Sequence, residues 1–277
     1  MPSSRRSKQF DIALTGIGIG GFERVTLETL DVFKRARIIF HLTGYHRRLK
    51  QFCKKVVNLE KYYWTGEEDL TVYTRLADLF LDEARRGPGV VAVGDGHPAF
   101  YDDVTWDVYR RGKEAGLDVR ILPAISCLDS MSAQCDLEIH TGGLQILDAT
   151  TMVANKQTVN PHIDALIMQI GWFDSALLYY VARSKRQRFK PVIDYLLKFY
   201  SASHPLRILE APNNKKEAAT VVSTQVGLLD RYSSKLLPSS CLYIPAVEDR
   251  RGDSAFDEFA ARGRDEQHLR RIAVITR

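Results

Sequence analysis

Between residues 10 and 125 short apolar runs alternate with helical patterns, and this alternation restricts what the segment can fold into. Residues 10–14 form an apolar run that breaks off in Gly16-Ile17-Gly18-Ile19-Gly20-Gly21, which reads as a strand entering a loop. Thr26 is placed to cap a helix carrying Leu27, Leu30 and Phe33 on one face. Second and third strands are predicted over residues 37–40 and 56–59. Val72, Leu76, Leu79, Phe80 and Ala84 then keep helical spacing, with Asp69 as the N-cap and Gly87 as the stop. Residues 89–93 are nearly all apolar, as a strand buried on both faces should be, and end in Gly94-Asp95-Gly96-His97-Pro98. A helix over about 104–115 and a strand over 119–123 complete the series. Repeated alternation of this kind predicts a mostly parallel sheet in an α/β domain.

The second half has another rhythm. Strand-like runs at 144–147, 165–170, 206–209 and 241–244 are separated by unequal segments, with a helix at 191–200 among them. This predicts a second α/β domain with a mixed sheet. The expected organisation is a disordered basic arm at 1–9, an N-terminal α/β domain at 10–124, a C-terminal α/β domain at 125–249 and a charged tail at 250–277.

Bulk properties remove several classes. The 277 residues are 45% hydrophobic and 26% charged, enough to bury a sizeable core. No apolar run approaches the roughly 18 residues of a membrane span, and the first residues lack the apolar core of a secretory signal. Cys53, Cys127, Cys135 and Cys241 show no zinc or redox spacing, and the seven histidines show no metal-binding pattern, so no metal site is expected. These features fit a reducing cytoplasm. The net charge of +5 includes basic runs at 46–55 and 185–190, without the aromatic-plus-basic pattern of an RNA reader.

Three strand-end loops carry most of the chemistry. Gly16-Ile17-Gly18-Ile19-Gly20 lets backbone approach a ligand, but it is not a clean dinucleotide fingerprint and, taken alone, reads better as a plain tight turn. Gly94 to Tyr101 packs Asp, His, Pro and aromatics into more than a turn requires. Leu122-Pro123-Ala124-Ile125-Ser126 leads a strand into a helix, with Ser126 as N-cap and as ligand contact. A fourth stretch crowds Tyr62, Tyr63, Trp64, Asp69 and Tyr73 together at a helix start.

In order and spacing these segments resemble the tetrapyrrole (corrin/porphyrin) methylase superfamily. The likeness extends over about residues 10–247 and continues through Leu166 to Gly171, Ile208-Leu209-Glu210-Ala211-Pro212-Asn213 and Leu242 to Pro245. Gly96-His97-Pro98, the tyrosine-rich segment and the Leu209 to Asn213 stretch look like the borosin branch, the peptide backbone N-methyltransferases, in a split form without a fused core peptide. The resemblance implies two α/β domains with S-adenosylmethionine folded in the cleft between them. Carried over position by position, Gly18 and Ile19 lie at the first loop, and Asp95, Gly96, His97 and Phe100 line the methionine part. Ser126 and Cys127 follow, and Ile170 and Pro212 flank the adenosine largely through backbone.

On the acceptor side Tyr63 and Tyr73 match two tyrosines of the borosin pattern. Asp69 stands where that pattern has an arginine, and Asp95 where it has a further tyrosine. An amide nitrogen becomes a nucleophile as its proton leaves and its oxygen takes negative charge, which an arginine stabilises. A carboxylate about 5 Å away opposes that charge by ~3 kcal/mol at an effective dielectric near 20. Asp69 and Asp95 instead suit an acceptor that starts cationic, or one that needs a general base.

The resemblance therefore implies a methyltransferase that N-methylates a peptide or peptide-like natural product. The tail is too charged to look like a fused core peptide, so the substrate is expected as a separate molecule. A homodimer is expected, with neither membrane nor nucleic acid as partner. Carbon methylation of a tetrapyrrole, ribose methylation of RNA, and a cofactor-binding protein without catalysis are the alternatives.

Overall fold

The computed structural model describes residues 9–139, 142–173, 188–212, 214 and 216–247. The basic arm up to residue 8, the Tyr179-Tyr180 segment, residues 185–187 of the second basic run and the charged tail lie outside the described residues.

The first half lays down β1 (Ile12–Gly16), α1 (Leu27–Lys34), β2 (Ile38–His41), α2 (His46–Leu49) and β3 (Val56–Asn58). It continues with α3 (Glu60–Tyr63), α4 (Asp69–Arg85), β4 (Val90–Gly94), α5 (Asp103–Glu114) and β5 (Val119–Ile121). The strands join in the order β3-β2-β4-β1-β5, and every pairing is parallel. A parallel sheet must be covered on both faces, and the alternation along β1 shows how. Ile12 and Leu14 enter the core beneath α4 and α5 with Val72, Leu76 and Phe80. Ala13 and Ile17 enter the opposite core with Val32 and Phe33 of α1.

The second half contains α6 (Cys127–Gln134), β6 (Leu144–Asp148), α7 (Ala149–Ala154), β7 (Asp164–Met168) and α8 (Lys190–Leu196). It ends with β8 (Pro205–Glu210), β9 (Thr220–Gln225) and β10 (Cys241–Ile244). Its sheet runs β6-β7-β10-β8-β9, with β6 and β7 parallel and the other pairs antiparallel. The mixed sheet expected from the sequence is present. The edge strand β9 was not anticipated, because Thr220-Val221-Val222-Ser223-Thr224-Gln225 has few apolar residues and one largely exposed face. Among the described residues no helix is long and apolar enough to cross a membrane.

Local signals behave as physical chemistry requires. Thr26 caps α1 through the Thr29 amide, and Ser126 caps α6 in a full capping box with Asp129. Asp69 is not the N-cap of α4. That position falls to Glu68, whose side chain makes no capping bond, and Asp69 is the first helical residue, accepting from the Leu70 amide at 2.7 Å. Amides of a first helical turn lack intrahelical partners, so a carboxylate one residue inside still finds a donor.

The amino edge of the first sheet is held by an ion cluster. Glu83 on α4, 4% exposed, pairs with Arg37 at 2.6 Å, Arg86 at 3.0 Å and Lys55 at 3.4 Å. Arg37 precedes β2 and Lys55 precedes β3, so one carboxylate ties two strand starts to a helix end. The Arg37 hydrogen bond holds the Glu83 carboxyl below the ordinary glutamate range, against the opposing cost of burial. A depressed carboxyl contributes stability that is present above its unfolded pKa and lost as pH falls through its folded one. The three cations cover the carboxylate but are themselves half-exposed, so water screens the cluster. Glu83→Gln should cost about 1–2 kcal/mol in urea unfolding at pH 7 and lose less stability than wild type between pH 5 and 3.

Candidate active site

Because the first sheet is parallel, all its strands release their loops at one edge, where α/β sheets place ligands. That edge forms one wall of a cavity of about 970 Å³. Thr15 near the end of β1, Leu42 to Gly44 after β2, Leu59 after β3, Gly94 at the end of β4 and Asp95 and His97 after it contribute to it. Asp69, Tyr73, Leu76 and Phe80 form a stripe of α4 on its side. The second sheet supplies Asp148, Thr150 and Thr151 at the end of β6, and Gln169 and Trp172 after β7. The cavity thus lies between the two sheets.

The loops after β1, β4 and β5 interlock beside it. The Ile17 amide donates to the Gly94 carbonyl at 3.1 Å, and the Ile19 amide to the Ile125 carbonyl at 3.0 Å. A side chain at Gly16 would place its Cβ 1.7 Å from the Gly96 carbonyl oxygen, so this contact exists only because residue 16 is glycine. Arg24 locks the outer part of the loop. Its guanidinium donates to the Ile19 carbonyl and to Ser130 Oγ on α6, each at 2.8 Å, and lies where a Gly20 side chain would project.

The segment after β4 is held open as a scaffold. The His97 ring accepts from the Ala99 amide through Nδ1 at 3.0 Å, which in a neutral ring leaves the hydrogen on Nε2. The Trp106 indole donates to the Ala99 carbonyl at 3.2 Å, and Asp102 caps α5 at the Thr105 amide. Tyr101 and Gln169 both line the cavity in the left-handed backbone region, with φ of 56° and 59°. Non-glycine residues persist there only when their surroundings hold them, a form of strain that gathers at functional sites.

Electrostatics separates the candidate groups. The Asp95 carboxylate is open to the cavity but ringed by protein elsewhere, and desolvation pushes its pKa up to about 6. It has no hydrogen-bond or ion-pair partner among the described residues. Burial also raises Tyr63 and, much further, Tyr73, whose hydroxyls interact. Their rings lie 6.1 Å apart. Both are therefore neutral near pH 7 and act as hydrogen-bond donors, not bases. Burial likewise pushes the Cys127 thiol up to about 11, so it is not a nucleophile at neutral pH.

Of the residues singled out in the sequence, Tyr63, Asp69, Tyr73, Asp95, His97 and Phe100 line the cavity. Gly18, Ile19, Gly96, Ser126 and Cys127 lie in the interlocked loops next to it. The Ser126 hydroxyl is committed to Asp129, donating at 2.7 Å and accepting at 3.2 Å, which leaves backbone as its offer to a ligand. Ile170 is fully buried in the second core, and Pro212 is buried beyond β8. Sequence reasoning missed Glu60, Tyr101, Asp102, Asp103, Asp148, Gln169 and Trp172 as cavity residues. Tyr101 ends a motif already identified and Asp102 and Asp103 directly follow it, which was a usable signal. Asp148 and Trp172 carried none, because their proximity depends on how the two sheets meet.

Comparison with known proteins gives this geometry a family. Residues 11–221 match the model of the Tetrapyrrole (Corrin/Porphyrin) Methylases. The chain is 25% identical over 209 residues to the methyltransferase/ribosomally synthesized cyclic peptide omphalotin A precursor of Omphalotus olearius. It is 24% identical over 209 residues to the corresponding lentinulin A precursor of Lentinula edodes. Each match takes in 74% of this chain, and the chain spans about half, 50%, of those relatives. Among solved structures, uroporphyrin-III-C-methyltransferase from Thermus thermophilus shares the fold with a TM-score of 0.59 at 17% identity, over 84% of this chain and 91% of that one. A second structure of that enzyme, complexed with S-adenyl homocysteine, has a TM-score of 0.57 at 15% identity, over 84% and 96% of the two chains. A match that takes in all five strands of the parallel sheet and β6, β7 and β8 of the second makes this chain a member of the tetrapyrrole (corrin/porphyrin) methylase family, enzymes that transfer methyl groups from S-adenosylmethionine.

Proposed function

We propose that the protein is an S-adenosylmethionine-dependent methyltransferase acting on a nitrogen of a peptide or peptide-like natural product supplied as a separate molecule. The observation that carries this reading is the unpartnered Asp95 carboxylate at the mouth of interlocked strand-end loops. A desolvated carboxylate is stabilised by a cationic ligand. Gly94 beside it leaves open space where a side chain would stand, so backbone itself forms the wall. Both features fit a cofactor that carries a sulfonium and an ammonium group.

Asp95, Gly96, His97 and Phe100 would hold the methionine part, with Gly18, Ile19, Ser126, Cys127, Ile170 and Pro212 toward the adenosine. When bound, S-adenosylmethionine supplies an electrophilic methyl carbon on a cationic sulfur. The work left to the protein is positioning and charge control. Tyr63 and Tyr73 orient the acceptor through their hydroxyls, and Asp69 or Asp95 takes its proton.

The omphalotin and lentinulin relatives are peptide precursors by name, which supports a peptide-like acceptor. No lysine or arginine among the described residues lines the cavity. That argues against an acid-decorated tetrapyrrole and against RNA phosphate, both of which need cationic partners.

Three outcomes are expected. Incubation with S-adenosylmethionine and synthetic peptides should add 14 Da units (roughly, one methyl each) at nitrogen, read by mass spectrometry; calorimetry finding no binding of S-adenosylmethionine or S-adenosylhomocysteine would end this reading. With Asp95 as base, activity should rise as pH increases through about 6, and Asp95→Asn should flatten that limb and cost on the order of a hundredfold. The sign for stability is opposite: a raised carboxyl keeps its proton in the folded state, so stability falls as pH rises from near 3.8 toward 6. Asp95→Asn removes this loss, so its Tm at pH 7 should equal or exceed that of wild type. For assembly, light scattering should give twice the chain mass of 31.4 kDa; a stable single-chain particle at micromolar concentration contradicts the homodimer.

A further inference from the structure

The charge of the cavity exceeds what the cofactor needs. Six of its wall residues are acidic: Glu60, Asp69, Asp95, Asp102, Asp103 and Asp148. Asp102 and Asp148 cap helices through the Thr105 and Thr151 amides, which accounts for them structurally. Glu60, Asp69, Asp95 and Asp103, contributed by α3, α4, the loop after β4 and the start of α5, cap no helix; Glu60 accepts from Asn58 Nδ2 at 3.2 Å and Asp69 from the Leu70 amide at 2.7 Å, neither of them a cation. S-adenosylmethionine carries a sulfonium, an ammonium and its own carboxylate, a net single positive charge, so it balances one of the four. His97 is the one basic side chain among the described wall residues.

Aromatic faces accompany this charge. Trp64, after α3, and Trp172, after β7, reach the cavity from the two halves of the chain, with rings 6.2 Å apart and 15° from parallel. Tyr63 meets Trp64 edge-on at 4.7 Å. Indole faces attract cations, most strongly where water is displaced, and carboxylates beside them add to that attraction. The same wall is hostile to an amide acceptor, whose oxygen gains negative charge as its nitrogen is methylated.

We propose that the acceptor is a protonated primary amine of the peptide-like substrate, held as a cation by these carboxylates and the Trp64–Trp172 pair. This rests on the methyltransferase reading above and narrows it. One of these carboxylates, Asp95 or Asp69, takes one ammonium proton. The freed lone pair forms the N–C bond while the S–C bond breaks, its electron pair staying on sulfur. The products are an N-methylammonium and S-adenosylhomocysteine, and the carboxylate passes its proton to water. The amine could sit on a lysine side chain or at a free N-terminus, which share this chemistry.

The test is calorimetric titration of four short alanine-based peptides into protein saturated with S-adenosylhomocysteine. One carries a lysine and an acetylated N-terminus, and the second is the same with Nε-acetyl-lysine. The third has a free N-terminus and no lysine, and the fourth is its acetylated form. At least one amine-bearing peptide should bind on the order of tenfold more tightly than its acetylated partner. Which pair shows the preference identifies the source of the amine. In Asp69→Asn/Asp103→Asn the preference should shrink toward parity while S-adenosylhomocysteine still binds, showing that the fold is intact. Equal binding within both pairs, absence of binding included, overturns the inference. So does mass spectrometry with S-adenosylmethionine that places the methyl on a backbone amide, although that result upholds the peptide methyltransferase reading. An intact amine preference without methylation of any peptide supports the cation site and sinks peptide methylation.

Discussion

A parallel sheet buried on both faces makes one demand on everything around it. Its strands can carry little beyond apolar side chains and paired backbone, so polar chemistry is displaced to the edges. Here the two edges have taken opposite assignments. The amino edge is tied shut by Glu83 and its three cations. The carboxyl edge is held together by backbone, through the Ile17 to Gly94 and Ile19 to Ile125 hydrogen bonds and the contact of Gly16 with the Gly96 carbonyl. Because backbone carries that joint, Asp95 is left facing the cavity with no hydrogen-bond or ion-pair partner among the described residues.

The same division explains what could be read from the linear sequence. The parallel sheet was legible because strands buried on both faces need long apolar runs, as in Val90 to Val93, and because glycines mark where they stop. The mixed character of the second sheet was legible from its unequal spacings. Its edge strand β9 was not, since pairing on one side imposes little on Thr220 to Gln225. The helix start at Asp69 was misplaced by one residue because a carboxylate satisfies a first-turn amide from either position.

For the site, the limit of legibility is the sheet-to-sheet contact. Most cavity residues near a strand end of the first sheet belonged to a segment that looked unusual for its own local reasons, although Leu42 to Gly44 after β2 did not. Asp148 and Trp172 did not, because they become neighbours of Asp95 and Tyr63 only after two separately encoded sheets have met. The left-handed backbone at Gln169 is a trace of that meeting, a local conformation supported by tertiary surroundings. The replacement of arginine and tyrosine by Asp69 and Asp95 was visible in the sequence. Its wider meaning emerges once Glu60 and Asp103 are seen on the same wall, because four carboxylates together shape a field that no one of them could.

Trp64 and Trp172 have a consequence of a different kind. Their near-parallel indoles, 6.2 Å apart, belong to opposite halves of the chain. Transition dipoles at that separation couple, and the coupling falls steeply as the rings part or turn. The protein therefore carries its own optical ruler across the cleft. An ultraviolet circular-dichroism couplet from this pair would report how far the two sheets stand apart, in solution and without a label, while the cleft fills and empties.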